Sequence, residues 1–179
     1  MIYVGIDPGQ KGGIAVIKLD AERHISAAHA FPYSNDKLKE IAYEVSHEYT
    51  DNVLCFVEKV GAMPKQGVTS MFNFGVSFGY ILGVLEANDV PYQLVTPQKW
   101  KKHFGLDNDK SKSIALCKRL FPTISLLPTE ERCRKDSDGM AEALLIALYA
   151  KRSDNITELV VHGTEEEEPW NAEEEQTKQ

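Results

Sequence analysis

Cysteine is scarce in this chain, which has three among its 179 residues. Cys55, Cys117 and Cys133 are odd in number and share no C-x-x-C spacing, so the sequence favours neither a disulfide framework nor a zinc site. The chain starts MIYVGI, with no basic region followed by a cleavable apolar stretch, and we expect no secretion signal. These absences predict a protein of the reducing cytoplasm.

A long uninterrupted apolar run is also missing. The longest weakly charged stretch, residues 67–85, contains Ser, Thr, Asn and four glycines; it makes a poor membrane span, and we expect no membrane partner. With 42% hydrophobic residues, the chain is long enough for one domain with a real core and too short for two. We expect a globular domain over residues 1–152 and an acidic, disordered extension over residues 153–179.

The charge of the chain is unevenly distributed. The formal net charge is −7, and residues 165–179 carry −6 of it, with seven Glu and one Lys. Residues 97–135 instead hold ten Lys and Arg against four acids, a local charge of +6. Such a segment can neutralise phosphates even in an acidic protein, although a solvated helical face explains the charge equally well. For the acidic tail, a solubilising role is favoured over mimicry of DNA or binding of a basic partner.

Hydrophobic periodicity predicts an α/β fold. The predicted strands span residues 1–7, 13–19, 24–31, 53–57 and 92–95, and the predicted helices span 35–50, 68–88, 97–104, 110–121 and 139–152. Asn35 is the expected N-cap of the first helix, and Gly105 is expected to separate the two basic helices. Three strands followed by alternating helices and strands indicate a sheet with helices on both faces.

Two carboxylates end apolar strands. Asp7 closes the first strand and is followed by Pro8 and Gly9, a tripeptide that taken alone is more typical of an ordinary Asx-turn. Glu58 ends VLCFVE and, taken alone, is more typical of a solvated rim. If the two strands are parallel neighbours, both side chains meet at the carboxyl edge of the sheet, where ligands usually bind. A divalent cation is the commonest compensation for carboxylates in such apolar settings.

A second acidic pair lies at the start of the last helix. Asp138 and Glu142 are four residues apart, so on a helix they lie on one face and can converge on one ion. Asp138 also fits the role of an N-cap. Glu142 has no such explanation, since the helix dipole gives a carboxylate in the first turn only a few tenths of a kcal/mol.

Together these residues resemble the RuvC family of Holliday-junction resolvases, within the ribonuclease H-like fold. The likeness rests on Asp in GIDPG, Glu at the end of a later strand and a terminal helix opening D-G-x-A-E-A-L-L, and it covers residues 1 to about 152. It is closest to the phage-encoded branch, which also carries stretches like SMFNFGVSFG and TPQKWKKHFG. The resemblance implies a five-stranded mixed sheet and a metal-dependent crossover junction endodeoxyribonuclease.

The resemblance also implies partners and residue roles. It implies a homodimer in which each subunit cuts one strand of a four-way DNA junction, with two Mg²⁺ or Mn²⁺ ions in each site. The implied catalytic and metal-binding residues are Asp7, Glu58, Asp138 and Glu142. The implied DNA contacts are Lys99, Lys101, Lys110 and Lys112, together with Phe74 as the residue that wedges into the junction, ahead of Met63 and Phe72. Trp100 and Phe104 are expected to be core anchors rather than base-stacking residues.

Two positions depart from the family pattern. Bacterial relatives usually carry an acid or histidine three residues before the final acid, where this chain has Gly139. The final acid is Glu142, where Asp is commoner. We expect metal preference to be the property that these departures change most.

Glycines 75, 79 and 83 recur every four residues in a predicted helix, although each costs about 1 kcal/mol there relative to alanine. This spacing predicts a bare groove that admits either the sheet beneath or the same helix of a second subunit. We place these glycines at the dimer interface.

Two other functions share parts of this pattern. GIDPGQKGG also resembles the first phosphate loop of actin-like ATPases and sugar kinases, but those enzymes need a second, duplicated domain for which 179 residues leave no room. A protein of the same fold that binds branched DNA without cutting it is the other alternative.

Overall fold

The computed structural model describes residues 1–48, 52–59, 61, 67–129 and 135–153. These contain five strands and five helices in the predicted order, and each described boundary lies within two residues of its predicted place. The strands are β1 (Ile2–Asp7), β2 (Gly13–Leu19), β3 (Ile25–Pro32), β4 (Val53–Glu58) and β5 (Tyr92–Val95). The helices are α1 (Asn35–Glu48), α2 (Val68–Ala87), α3 (Pro97–Phe104), α4 (Lys110–Leu120) and α5 (Asp138–Ser153).

The five strands form one mixed sheet in the order β3-β2-β1-β4-β5. The first three make an antiparallel meander, because short turns join them. β4 and β5 run parallel to β1 after helical crossovers. β1 is therefore central, and its carboxyl end lies beside the carboxyl end of β4.

Helices cover both faces of the sheet, as predicted. Alternate residues of β1 point to opposite faces, so Tyr3 joins the core beneath α3, α4 and α5, whereas Ile2 and Val4 join the core beneath α1 and α2. The residues of α5 from Gly139 to Ala150 are all buried, which is why this helix is apolar on every side.

Glycines bring α5 against the sheet at backbone distance. A Cβ at Gly5 would lie 2.1 Å from the carbonyl oxygen of Ala143, and one at Gly13 would lie 2.5 Å from that of Gly139. Because no side chain separates the two backbones, the beginning of α5 lies directly beside the ends of β1 and β2. This close approach fixes where Glu142 stands relative to Asp7.

Two helix caps differ from the predictions. The Oγ of Ser34 accepts a hydrogen bond from the backbone N–H of Lys37 at 3.1 Å, so Ser34 caps α1 and the prediction of Asn35 was wrong. The Oγ of Ser137 accepts from the N–H of Met140 at 3.2 Å. Ser137 therefore caps α5, and Asp138 is not needed for that role.

Helix α2 packs on the sheet along one edge and is otherwise open. Ile81 and Leu85 are its buried residues, and a Cβ at any of Gly75, Gly79 and Gly83 would meet nothing within 4 Å. The glycine groove therefore does not receive the sheet, which removes one of its two predicted occupants. By length and composition alone, α2 could cross a membrane. Its glycines and polar residues therefore weaken it as a membrane span less than the sequence predicted.

Candidate metal centre

Three carboxylates from distant parts of the chain meet at one edge of the sheet. Asp7 ends β1 and Glu58 ends β4, and the parallel register that pairs Ile6 with Val57 brings them side by side. Glu142, in the second turn of α5, is 5% exposed and lies over them. One carboxylate oxygen from each of Asp7, Glu58 and Glu142 lies within 4.8 Å of the others.

The turn after Asp7 is closed by a hydrogen bond and lies against helix α2. Gly9 has a φ of +126°, a conformation that glycine adopts without strain. The N–H of Gly12 donates to the carbonyl oxygen of Gly9 at 3.0 Å, which closes the turn. The ring of Phe74 from α2 lies 3.8 Å from the place where a Cβ on Gly9 would stand, so Phe74 lies against this turn.

Burial and mutual repulsion disfavour the charged forms of these carboxylates. The pKa of Asp7 is raised well above its ordinary value by burial, and then by the negative charges of Glu58 and Glu142. The pKa of Glu58 is also raised by burial, although its hydrogen bond from Trp100 acts in the opposite direction. Unit charges about 5 Å apart repel by roughly 3 kcal/mol at an effective dielectric constant near 20. A cation among them would relieve this repulsion.

The donor set fits a hard divalent cation. Carboxylate oxygens are the ligands that Mg²⁺ and Mn²⁺ prefer, whereas the site offers no thiol or imidazole among the described residues that form it. Asp7, Glu58 and Glu142 are therefore the residues that could hold such an ion.

Two lysines from the basic helices line the same site. The Nζ of Lys101 on α3 lies 3.1 Å from the Oε1 of Glu142, and both side chains are largely buried. Lys110, at the start of α4, forms an ion pair with Asp138, and its charge also acts on Asp7 and Glu58. The centre thus combines three carboxylates with two ammonium groups.

Asp138 stands apart from the other acids. It is not among the carboxylates that converge within 4.8 Å, and it accepts a hydrogen bond from Lys110 instead. Although burial opposes the change, this hydrogen bond and the charge of Lys110 lower the pKa of Asp138. In the same pair, the hydrogen bond to Asp138 raises the pKa of Lys110.

Two hydrogen-bond donors to the glutamates of this site were not predicted from the sequence. The indole Nε1–H of Trp100 donates to the Oε2 of Glu58 at 2.7 Å, and the Oγ of Ser113 donates to the Oε1 of Glu142 at 3.3 Å. Both residues are fully buried, with exposures of 0%. For Trp100 the prediction of a core anchor was correct but incomplete. The signal for Ser113 was only its place one helical turn after Lys110.

Steric crowding explains why position 139 is a glycine. A Cβ there would lie 2.1 Å from the carbonyl oxygen of Lys11 and 2.6 Å from the Cα of Gly12. The turn after β1 therefore fills the space that a side chain at position 139 needs. A carboxylate side chain at this position would require that turn to move.

Within the described part of the chain, the remaining predicted DNA contacts form no hydrogen bond or ion pair with the three carboxylates. Lys99 is an exposed residue on α3. Lys112 pairs with Asp107, and its charge acts on Asp107 and Asp109. Phe72 is 69% exposed on α2. Met63 lies outside the described residues.

Similarity to known proteins was found through structure. No protein-family model matches the chain, and no curated protein matches its sequence. RuvC of T. thermophilus in complex with a Holliday junction substrate superposes with a TM-score of 0.57 at 17% identity, covering 87% of this chain and 96% of RuvC. RuvC of Thermus thermophilus in a second structure gives 0.54 at 18% identity, covering 87% of this chain and 96% of RuvC.

A viral protein gives a similar result. The Fowlpox virus resolvase in complex with Holliday junction DNA superposes with a TM-score of 0.50 at 15% identity, covering 86% of this chain and 98% of the resolvase. In all three structures, nearly the whole length of the other chain is matched. The chain has the ribonuclease H-like fold of RuvC and other Holliday-junction resolvases.

Proposed function

We propose that this protein is a metal-dependent endonuclease that resolves four-way DNA junctions. The observation that carries the proposal is the convergence of Asp7, Glu58 and Glu142 within 4.8 Å, on a fold otherwise seen in proteins solved with Holliday junction DNA. Lys101 and Lys110, paired with acids at the same place, supply the positive charge that a DNA phosphate needs next to three carboxylates.

In this proposal the carboxylates hold two Mg²⁺ or Mn²⁺ ions. The chemistry that such a pair supplies when bound is activation of water for attack on the phosphodiester and stabilisation of charge on the departing 3′ oxygen. Asp7 and Glu58 hold their carboxylates on rigid strand ends, and Glu142 closes the set from α5. Asp138 acts by holding Lys110 rather than by binding an ion directly.

The lysines recognise the DNA backbone. Lys101 and Lys110 bind the scissile phosphate and its neighbour, because their ammonium groups already lie beside the carboxylates. Lys99 and Lys112 bind phosphates farther along the duplex arm. Phe74 lies against the turn that follows Asp7, where an aromatic ring can enter an opened junction close to the cut.

We further propose that two copies pair through α2. Phe72, Val76 and Tyr80 are 69%, 57% and 37% exposed and form an apolar ridge with a spacing of four residues. Beside it runs the open groove of Gly75, Gly79 and Gly83. Around a twofold axis, the ridge of one copy can enter the groove of the other. Two sites then face two arms of one junction.

The cleavage assay uses an end-labelled synthetic four-way junction with Mg²⁺ or with Mn²⁺. Wild type should nick two opposing strands, and Asp7→Asn should reduce the rate by about 10³-fold or more. Asp36→Asn is the matched control, since it makes the same chemical change in an exposed residue that pairs with Lys39 on α1. Binding of the junction by wild type without nicking in either metal would contradict the nuclease and favour the non-cutting alternative.

The dimer has its own test. A Cβ at position 79 meets nothing within 4 Å in its own subunit, so Gly79→Leu should leave a folded monomer, whereas wild type should have twice that mass in solution. Thermal unfolding confirms that the variant is folded. A folded Gly79→Leu dimer would exclude α2 pairing.

A further inference from the structure

We propose that Trp100 is a positioning residue that orients Glu58 for metal binding through its indole N–H. The inference rests on the proposed metal-dependent function and deepens it. Its basis is a hydrogen bond of 2.7 Å from Nε1 of Trp100 to Oε2 of Glu58, between residues 42 positions apart in the chain.

The indole ring is held firmly enough to orient its partner. Trp100 is fully buried, with 0% exposure, in the core cluster that α3 shares with α4 and α5. Helix α3 is itself fixed at its start, where the Oγ1 of Thr96 accepts from the N–H of Lys99 at 3.3 Å and Pro97 occupies the first turn. Trp100 therefore presents its N–H from a fixed place, whereas a glutamate has three rotatable bonds.

An indole suits this task chemically. Its N–H donates and cannot accept, and it carries no charge at any ordinary pH. It can therefore hold the Glu58 carboxylate without competing for the cation or adding a positive charge that repels it. The hydrogen bond engages Oε2 and leaves Oε1 available as a ligand atom. Such supporting bonds typically change metal affinity by about 10–100-fold.

The neighbouring residue acts on the other glutamate. Lys101 follows Trp100 on α3 and contacts Oε1 of Glu142 at 3.1 Å, the same oxygen that Ser113 reaches at 3.3 Å. Each glutamate thus has one oxygen engaged by these donors and a second oxygen that none of the three engages. Helix α3 therefore contacts Glu58 through the neutral indole of Trp100 and Glu142 through the ammonium group of Lys101. Replacing Trp100 changes the orientation of Glu58 without changing the charge of the site.

The test measures Mn²⁺ binding by calorimetry, without DNA. Trp100→Phe keeps an aromatic ring in the core and removes the N–H, and should weaken Mn²⁺ binding by about 10–100-fold. Phe104→Leu is the matched control: Phe104 lies on the same helix and packs against the same core cluster, but donates to no carboxylate. This control should bind Mn²⁺ as wild type does, even if its thermal stability falls as far as that of Trp100→Phe.

A spectroscopic signature separates orientation from stability. The chain has two tryptophans, so Trp170→Phe leaves Trp100 as the single indole emitter. In that background, saturating Mg²⁺ should change the emission of Trp100, because the cation draws electron density from the carboxylate that accepts its N–H. Adding Glu58→Gln should abolish the response.

The outcomes are distinct. The proposal is overturned if Trp100→Phe binds Mn²⁺ as tightly as wild type, if Phe104→Leu loses as much affinity, or if Mg²⁺ leaves the Trp100 emission unchanged. Absence of Mn²⁺ binding by wild type would overturn both this inference and the metal centre. Weaker binding by Trp100→Phe, in a protein that never nicks junctions, would support the inference while the proposed nuclease fails.

Discussion

At the scale of single residues, the surroundings of Asp7 strongly disfavour the charged form of its carboxylate. Its folded-state pKa lies well above the ordinary value of 3.8, because of burial and the charges of Glu58 and Glu142. A group with a raised pKa contributes stability that is fully present below its unfolded pKa and is lost as the pH rises through its folded pKa. Above that raised pKa the metal-free protein therefore lacks the contribution that protonated Asp7 would give.

Asp7→Asn should consequently stabilise the metal-free protein near pH 7, since a neutral amide replaces the crowded carboxylate. The gain over wild type should shrink as the pH falls through the raised pKa towards 3.8, because wild type then protonates Asp7 on folding. Urea unfolding with a chelator at several pH values measures this difference. A gain that does not vary with pH would show that Asp7 is not the group responsible.

Bound metal should make wild type more stable than Asp7→Asn, the reverse of the order expected without metal. Saturating Mg²⁺ stabilises wild type through its affinity for the folded state, whereas Asp7→Asn lacks a ligand and should gain little. Because the ligands must be deprotonated, Mg²⁺ affinity should also fall as the pH is lowered towards the raised pKa of Asp7. Thermal unfolding with and without Mg²⁺ measures both effects. Equal stabilisation of the two proteins by Mg²⁺ would contradict the assignment of Asp7 as a ligand.

Lys110 and Lys112 offer a matched pair on one helix. The charge of Lys110 acts on Asp7 and Glu58, whereas Lys112 pairs with Asp107. Lys110→Ala should lower the cleavage rate by about 10²-fold. Lys112→Ala should mainly weaken junction binding and reduce its dependence on salt by about one phosphate contact. Single-turnover cleavage and salt-dependent binding separate the two, and equal effects on rate would contradict the assignment.

The candidate site was predictable from sequence only where a residue type conflicts with its setting. Asp7, Glu58 and Glu142 are charges in or beside apolar segments, and such charges need a physical reason. Trp100 and Ser113 show no conflict, because an indole in a core and a serine in a helix are ordinary. Their importance lies in a partner 42 and 29 positions away, which only the folded chain brings within hydrogen-bond distance.

At the level of elements, the position of α5 depends on close backbone contacts. Gly139→Ala would place a methyl group 2.1 Å from the carbonyl oxygen of Lys11, and we expect it to destabilise the protein by about 3 kcal/mol and to weaken Mg²⁺ binding. Gly61→Ala is the control, since its methyl meets nothing within 4 Å and it lies outside the proposed α2 interface. Urea unfolding and calorimetry test both variants, and a Gly139→Ala protein of wild-type stability would contradict this account of the packing.

The elements themselves were predictable because their apolar periods are strong and Gly or Pro bounds them. The cap of α1 was predicted one residue too late, and Asp138, the alternative considered as the cap of α5, also follows the serine that caps the helix. Both serines precede residues that are also good caps. For α2 the sequence showed the bare glycine face but could not say what it meets. That depends on how the helix is rotated on the sheet, which Ile81 and Leu85 decide.

For the molecule as a whole, charge is separated along the chain. Residues 165–179 carry −6, and the rest carries −1. Deleting residues 164–179 should tighten junction binding at low salt, and the gain should shrink as salt screens the repulsion. Replacing the seven glutamates with glutamine is the control that keeps the length. If only the deletion tightens binding, charge is not the cause.

The backbone contact between α5 and the sheet has a consequence for how much the surrounding sequence can vary. Since Gly5, Gly13 and Gly139 set the spacing, the carboxylates keep their places without help from the particular shapes of surrounding side chains. The apolar residues around them are then free to exchange, as long as volume is kept. Very different sequences can therefore specify the same architecture, which accounts for a fold shared at 17% identity that no sequence comparison detects.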